Sequence, residues 1–238
     1  MSERQAAVWP ALLLIAVAGG CWAVTVQRMR GMDMGPGTDL GGLGWFALVW
    51  VTMMAAMMLP SVAPIAVAHS RGLSVVVFAA GYLIAWAAFG ILAYAFVDGV
   101  RSLELGFLSW DSAGRYVAGG VVIGAALYEL TRAKKRFLQR CRDTRLLRLR
   151  PGIAGALSTG IEQGGFCIGC SGALMAALFA LGVMSITWMF LIAALVALEK
   201  LLPWSVVATG LTAATFALLG AAVMIVPHQV PWLTVPMS

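Results

Sequence analysis

The sequence has 238 residues, of which 61% are hydrophobic and 11% charged, and its mean hydropathy is +0.92. Soluble domains are about 45–50% apolar and about 25% charged, so this composition excludes an ordinary soluble protein. The formal net charge is +6, but the basic residues concentrate in a short block between apolar runs. That pattern is typical of orientation in a membrane rather than of nucleic-acid binding, and no nucleic-acid partner is expected.

Seven apolar runs approach the length of about 20 residues that a membrane-spanning helix needs. They lie at residues 8–26, 45–67, 73–97, 114–131, 152–182, 185–202 and 204–226. The chain is therefore predicted to be an all-α, polytopic helix bundle that forms a single transmembrane domain over residues 1–238. The residues AGGC, ending at Cys21, also resemble a lipoprotein cleavage signal, but Ala18 stands where such signals usually have Leu, so an uncleaved first helix is favoured.

The loop at 132–150 contains nine of the sixteen Lys and Arg residues. If this loop is cytoplasmic, the alternation of spans places twelve basic residues inside and four outside, as the positive-inside rule requires. The N-terminus is then cytoplasmic, and the protein is expected to be a multi-pass protein of the bacterial inner membrane. The basic loop either serves as a stop-transfer signal or lies on anionic lipid as an amphipathic helix.

The second run contains four methionines, Met53, Met54, Met57 and Met58, followed by Pro60. At 100° per residue, Met54, Met57 and Met58 share one face of a helix. Their thioethers are soft, neutral ligands suited to Cu(I), and the proline predicts a kink one turn after them. The alternative is that methionine fills space in a helix bundle.

The fifth run contains Cys167 and Cys170 in a C-x-x-C spacing, with Gln163 on the same helix face and Glu162 beside it. Two thiolates at this spacing can bind one soft metal ion, with Glu162 and Gln163 as accessory groups. They can equally exchange a disulfide, or be inert buried cysteines. Because they and the methionines of the second run lie at mid-depth in their spans, a shared ion with Cys and Met ligands is predicted.

The same run, 152–182, is too long for one upright span, since its helical length of about 47 Å exceeds a hydrocarbon core of about 30 Å. It is rich in glycine, so either a steep tilt or a break near Gly164 and Gly165 is predicted, and the break is preferred. The alternative is that the small residues allow close packing against another helix.

Further candidate groups lie outside these two runs. Glu199 is an accessory candidate near the inner face, although pairing with the adjacent Lys200 explains it better. The loop after the first span carries Met29, Met32 and Met34, which could capture a soft cation outside the cell, or could simply belong to a linker.

The segments TMMAAMMLPSVAP, GALSTGIEQGGFCIGCSGALM and FALGVMSITWMF, followed by ALEKLLP, resemble a bacterial family of uncharacterised proteins described as predicted metal-binding integral membrane proteins. The resemblance covers roughly residues 45–70 and 135–205 and implies metal binding within a membrane. Members commonly have a further cysteine where this chain has Ser171, and a cysteine pair in the basic loop where it has Cys141 alone. These departures favour a mixed Cys–Met site, or a weakened site, over a thiolate-only site.

The sequence thus predicts a non-enzymatic membrane protein that binds, and transports or delivers, a soft transition metal, with Cu(I) preferred. The expected ligands are Cys167, Cys170, Met54, Met57 and Met58. A metallochaperone or an accessory membrane protein is an expected partner beside the lipid bilayer. The alternatives are a membrane thiol–disulfide oxidoreductase that uses the cysteine pair and a structural membrane subunit without chemistry.

Overall fold

A computed structural model describes residues 3–29, 41–69, 73–102, 113–143, 152–182, 185–202 and 205–226. Within these ranges the fold is all-α, as the sequence predicts. Eight helices follow one another along the chain: α1 Glu3–Met29, α2 Leu43–His69, α3 Leu73–Ser102, α4 Arg115–Glu129, α5 Arg132–Arg142, α6 Gly152–Leu181, α7 Ile186–Leu201 and α8 Ser205–Ile225.

Five of these helices, α1, α2, α3, α6 and α8, are long and apolar enough to cross a membrane. The predicted runs at 114–131 and 185–202 are helical as well, but α4 has 15 residues and α7 has 16. Both are shorter than the span of about 20 residues that an upright helix needs. Five membrane-crossing helices are therefore supported, whereas the total of seven and the cytoplasmic N-terminus remain predictions.

Large apolar side chains cover the outer faces of the long helices. Six of them are 70–76% exposed, namely Trp9, Leu92, Phe96, Val206, Leu218 and Ile225. Apolar surface on this scale is unfavourable in water and favourable against lipid tails. The exposed surface therefore agrees with the composition in indicating a membrane environment.

The described residues divide into two compact units. The first comprises residues 3–27, 41–69, 73–94, 136–143 and 152–170, and the second comprises residues 28–29, 95–102, 113–135, 171–182, 185–202 and 205–226. The boundaries between the segments fall within α1, α3, α5 and α6, so these four helices contribute residues to both units.

In the first unit, α6 packs directly on α3 through its glycines. A Cβ atom at Gly160 would overlap the carbonyl oxygen of Phe78, and one at Gly164 would lie 3.0 Å from the carbonyl oxygen of Tyr82. The helix continues without interruption through these positions. The predicted break near Gly164 and Gly165 is therefore wrong, because the small residues are used for close backbone approach instead.

The same unit joins α2 to α3 through aromatic residues. The indole N–H of Trp50 donates a hydrogen bond of 2.8 Å to the carbonyl oxygen of Trp86, and its ring fills the space left by Gly90. Pro60 and Pro64 lie inside α2, which is continuous from Leu43 to His69. The kink that Pro60 predicts remains a prediction.

In the second unit, α4 and α8 meet at a reciprocal glycine contact. A Cβ atom at Gly119 would lie 2.8 Å from the carbonyl oxygen of Gly220, and one at Gly220 would lie 2.9 Å from that of Gly119. Glycine at both positions lets the two backbones approach closely, which is how many membrane helices pack.

Candidate metal site

Three cysteine sulfurs converge in the first unit. The Sγ atoms of Cys141, Cys167 and Cys170 all lie within 4.8 Å of one another, and all three side chains are buried. Cys167 and Cys170 stand one helical turn apart on α6, so their sulfurs point the same way, as the C-x-x-C spacing predicts. Cys141 approaches from α5. The four cysteines of the chain are all described, and no disulfide joins them.

The position of Cys141 follows from the amphipathic pattern of α5. Lys134, Leu138 and Cys141 recur at helical spacing and are buried, whereas most of the intervening side chains are exposed. The exposed residues are mainly basic, which gives the helix one charged face and one inward face. Cys141 lies at the C-terminal end of that inward face.

Two contacts hold the C-terminal half of α5 against α6. The ring of Phe137 lies over Gly169, where a Cβ atom would approach it to 2.6 Å. The guanidinium of Arg140 lies 5.3 Å from the centre of the Phe166 ring, within cation–π distance. A larger residue at position 169 would push Phe137 away, so the glycine contributes directly to bringing Cys141 close to the cysteine pair.

Gln163 links the two helices beside the sulfurs. Its Nε2 donates to the backbone carbonyl of Cys141 at 3.1 Å and lies 3.6 Å from Cys141 Sγ. Its Oε1 is buried and has no hydrogen-bond partner among the described residues. This position beside Cys141 is compatible with the accessory role predicted for Gln163.

A tyrosine on α3 contacts the cluster from another side. The Tyr82 hydroxyl donates a hydrogen bond of 2.9 Å to Cys167 Sγ. The Cys170 thiol in turn lies 3.3 Å from the carbonyl oxygen of Cys167, to which it can donate. Helix α3 thus contacts the cluster directly at Cys167.

The arrangement fits a soft metal ion. With metal–sulfur bonds of about 2.3 Å, two sulfurs on one ion are at most about 4.6 Å apart. Separations of up to 4.8 Å need only a small rotation of the side chains to meet this limit. Thiolates are the preferred donors for Cu(I) and Zn²⁺, and three of them leave a structural zinc site one ligand short.

The predicted methionine ligands are buried in the first unit. Met53, Met54, Met57 and Met58 are at most 4% exposed, and all lie on α2. The structure brings the three cysteines together, whereas the participation of the methionines in the site remains a prediction.

The remaining predicted groups fall into different places. Glu162 on α6 is partly exposed and is not a member of the three-cysteine cluster. Met29 is the last residue of α1 and is buried, whereas Met32 and Met34 lie outside the described residues. The predicted outer capture site therefore stays a prediction.

Glu199 belongs to a buried ion triad in the second unit. The ammonium of Lys134 donates to Glu199 Oε2 at 2.8 Å and also to the carboxylate of Glu129. All three side chains are at most 2% exposed. Glu199 is thus paired with Lys134, and this pairing favours the structural alternative over an accessory metal role.

Residue patterns alone missed two members of the site. Cys141 had a recognisable signal, because its spacing from Lys134 and Leu138 places it on the inward face of a helix. Tyr82 had none, since its contact with Cys167 depends on the packing of α3 against α6. The third sulfur enlarges the thiolate set beyond the mixed Cys–Met site that the sequence favours.

The chain matches the model of a protein family over most of its length. The family model described as PpoB2, copper chaperone, matches residues 47–223, which include α3 to α7, nearly all of α2 and most of α8. The matched region contains every residue of the three-cysteine cluster. No curated protein and no solved structure matches the chain.

Proposed function

Because the chain belongs to the copper chaperone family, we propose that it binds Cu(I) at the three-cysteine site and delivers the ion to an acceptor protein. The observation that carries the proposal is the convergence of Cys141, Cys167 and Cys170 within 4.8 Å in a buried setting. Thiolates in this number suit Cu(I), which is soft and has no need of a fourth ligand.

Burial adds to the argument for a metal ion. Three thiols at most 4% exposed occupy the inside of a helical unit, where any thiolate charge is costly without a cation beside it. A bound monovalent ion offsets part of that charge. Metal binding releases the thiol protons, so affinity for copper rises with pH until the three sulfurs are deprotonated.

The methionines of α2 have a complementary part in the proposal. Thioethers bind Cu(I) without losing a proton and carry no charge. Met54, Met57 and Met58 belong to the same unit as the cysteines, and they act as weaker ligands through which copper reaches or leaves the thiolates.

Delivery requires a recipient, which we propose to be a metallochaperone or an accessory membrane protein. The proposed setting is the bacterial inner membrane, and it is supported by five helices that are long and apolar enough to cross a membrane. Glu162, partly exposed on the cysteine-bearing helix, is available as an accessory group for an ion in transit.

A thiol–disulfide oxidoreductase would use Cys167 and Cys170 differently. Exchange needs a second thiol or disulfide to reach the attacking sulfur, yet both side chains are at most 1% exposed. The third sulfur also has no part in a simple dithiol exchange. Both features favour metal binding over redox catalysis.

The test is the copper content of the protein purified in detergent after expression with copper. We expect stoichiometric copper in the wild type and its loss in Cys167→Ser/Cys170→Ser. Cys21→Ser is the matched control, since Cys21 lies on α1 outside the cluster, and it should bind copper like the wild type. Stoichiometric copper in the double variant would contradict the proposal.

A further inference from the structure

Tyr82 reaches the sulfur cluster from α3, which contributes no cysteine to it. The side chain is fully buried, and its hydroxyl lies 2.9 Å from Cys167 Sγ. This is a hydrogen bond in which the phenol O–H donates and the sulfur accepts. The site is thus built from three helices, of which two supply sulfur and one supplies a hydrogen-bond donor.

Glycines of α6 set the position of Tyr82. A Cβ atom at Gly160 would lie 3.0 Å from the backbone nitrogen of Tyr82, and one at Gly164 would lie 3.0 Å from its carbonyl oxygen. The backbone of α6 therefore rests against the backbone of Tyr82 itself. Because Cys167 follows Gly164 by one helical turn, this contact fixes the distance from the phenol oxygen to the sulfur.

A donor at this position has a chemical consequence once copper is bound. Three thiolates around one monovalent ion leave an excess of negative charge in a buried setting, which is unfavourable. Hydrogen bonds to an ionised acceptor are stronger than those between neutral groups. The phenol O–H therefore offsets charge on Cys167 and also holds its Sγ in one direction.

Packing alone does not explain why residue 82 carries a hydroxyl group. A phenylalanine would fill almost the same volume without burying a polar atom, whose burial is costly unless it is hydrogen-bonded. The acceptor that the tyrosine uses is the sulfur of a proposed ligand.

We propose that Tyr82 is a positioning residue for the copper site, which orients Cys167 Sγ and reduces the negative charge on it in the metal-bound state. The inference rests on the proposed function. It adds an outer group to the site, and such groups commonly change metal affinity by about 10–100-fold when they are removed.

The test compares Tyr82→Phe with Tyr94→Phe, both of which remove one hydroxyl from α3. Tyr94 is the matched control, since its hydroxyl donates instead to the carbonyl oxygen of Gly41 at 2.9 Å. Cu(I) affinity is measured by competition with a chelator, and the thiolate-to-copper absorption band is recorded in the ultraviolet. Thermal unfolding of the metal-free proteins reports on packing.

We expect Tyr82→Phe to lower the Cu(I) affinity about 10–100-fold and to move the absorption band to longer wavelength, while Tyr94→Phe changes neither. Wild-type affinity and an unshifted band in Tyr82→Phe would overturn the inference. If that variant does not fold, 3-fluorotyrosine at position 82 keeps the ring and strengthens the donor, so the band should move to shorter wavelength; an unmoved band would again overturn it.

The two proposals fail in different ways. Copper that survives Cys167→Ser/Cys170→Ser contradicts the proposed function. Copper that is lost in that double variant but bound normally by Tyr82→Phe contradicts the role of Tyr82 alone.

Discussion

The sulfur of Cys141 in α5 lies within 4.8 Å of the sulfur of Cys167 in α6, so a short basic helix and a long apolar helix share one site. The contact depends on Gly169, which makes room for Phe137, and on Gln163, which donates to the Cys141 carbonyl. A cysteine in a predicted cytoplasmic loop thereby becomes a candidate ligand for a metal held by a predicted membrane span.

Replacement of Cys141 tests whether the third sulfur binds the ion. Because Cys141→Ser leaves two of the three thiolates, it should lower the Cu(I) affinity by at least about tenfold, which corresponds to about 1.4 kcal/mol or more of binding free energy. Chelator competition measures the change. Cys21→Ser serves as the control, and equal affinities for the two variants would show that Cys141 is not a ligand.

The methionines of α2 are tested by leucine, which conserves volume and removes the thioether. Met54→Leu/Met57→Leu/Met58→Leu should keep the fold, since swaps of Leu and Met usually cost less than about 1.5 kcal/mol each. Copper uptake should become slower or weaker than in Met189→Leu, a control at an equally buried methionine of α7. The time course of Cu(I) loading is measured for both variants. Identical time courses would show that copper does not pass through the methionines of α2.

Neighbouring glycines of α6 provide a test of the close contact with α3. Gly164→Ala places a Cβ atom 2.6 Å from Ala85 Cβ, so overpacking should lower the free energy of unfolding by about 1–3 kcal/mol. At Gly165 a Cβ atom has no neighbour within 4 Å, and alanine should be neutral or stabilise the helix by up to about 1 kcal/mol. Thermal unfolding in detergent distinguishes the two variants. Equal changes in stability for Gly164→Ala and Gly165→Ala would argue against the close contact between α6 and α3.

The ion triad around Lys134 is expected to stabilise the second unit. Burial alone lowers the pKa of Lys134, but the carboxylates of Glu129 and Glu199 outweigh it and raise that pKa above its ordinary value, so the ammonium stays charged. Lys134→Met removes the ammonium that the two buried carboxylates share, and it should lower the free energy of unfolding by about 3–5 kcal/mol. The exposed neighbour gives the control, since Lys135→Met should change stability by less than about 0.5 kcal/mol. Denaturant unfolding measures the free energy of unfolding of both variants. Comparable values for Lys134→Met and Lys135→Met would contradict a stabilising role of the triad.

Composition was sufficient to predict an all-α membrane protein, because apolar content and the lengths of the runs depend on local sequence. The spacing of Cys167 and Cys170 likewise predicted two sulfurs on one helix face. The glycines of α6 were ambiguous, since the same small residues permit either a break or a close contact. Which of the two occurs depends on the surface that α3 offers at Phe78 and Tyr82, and the sequence of α6 does not contain that information.

Cys141 and Tyr82 differ in how far the sequence alone can identify them as members of the site. The inward face of α5 can be found from the spacing of Lys134, Leu138 and Cys141, although the helix that it packs against cannot. The hydrogen bond from Tyr82 to Cys167 joins α3 to α6 across a distant part of the sequence. No local pattern encodes such a contact.

The central claim is that three cysteine sulfurs bind one Cu(I) ion. X-ray absorption at the copper edge of the loaded protein tests it most directly, because the spectrum reports the type and number of ligand atoms. We predict a first shell of sulfur with about three atoms, falling by one in Cys141→Ser. A shell of nitrogen or oxygen, or a spectrum unchanged when Cys141, Cys167 and Cys170 are all replaced by serine, would contradict it.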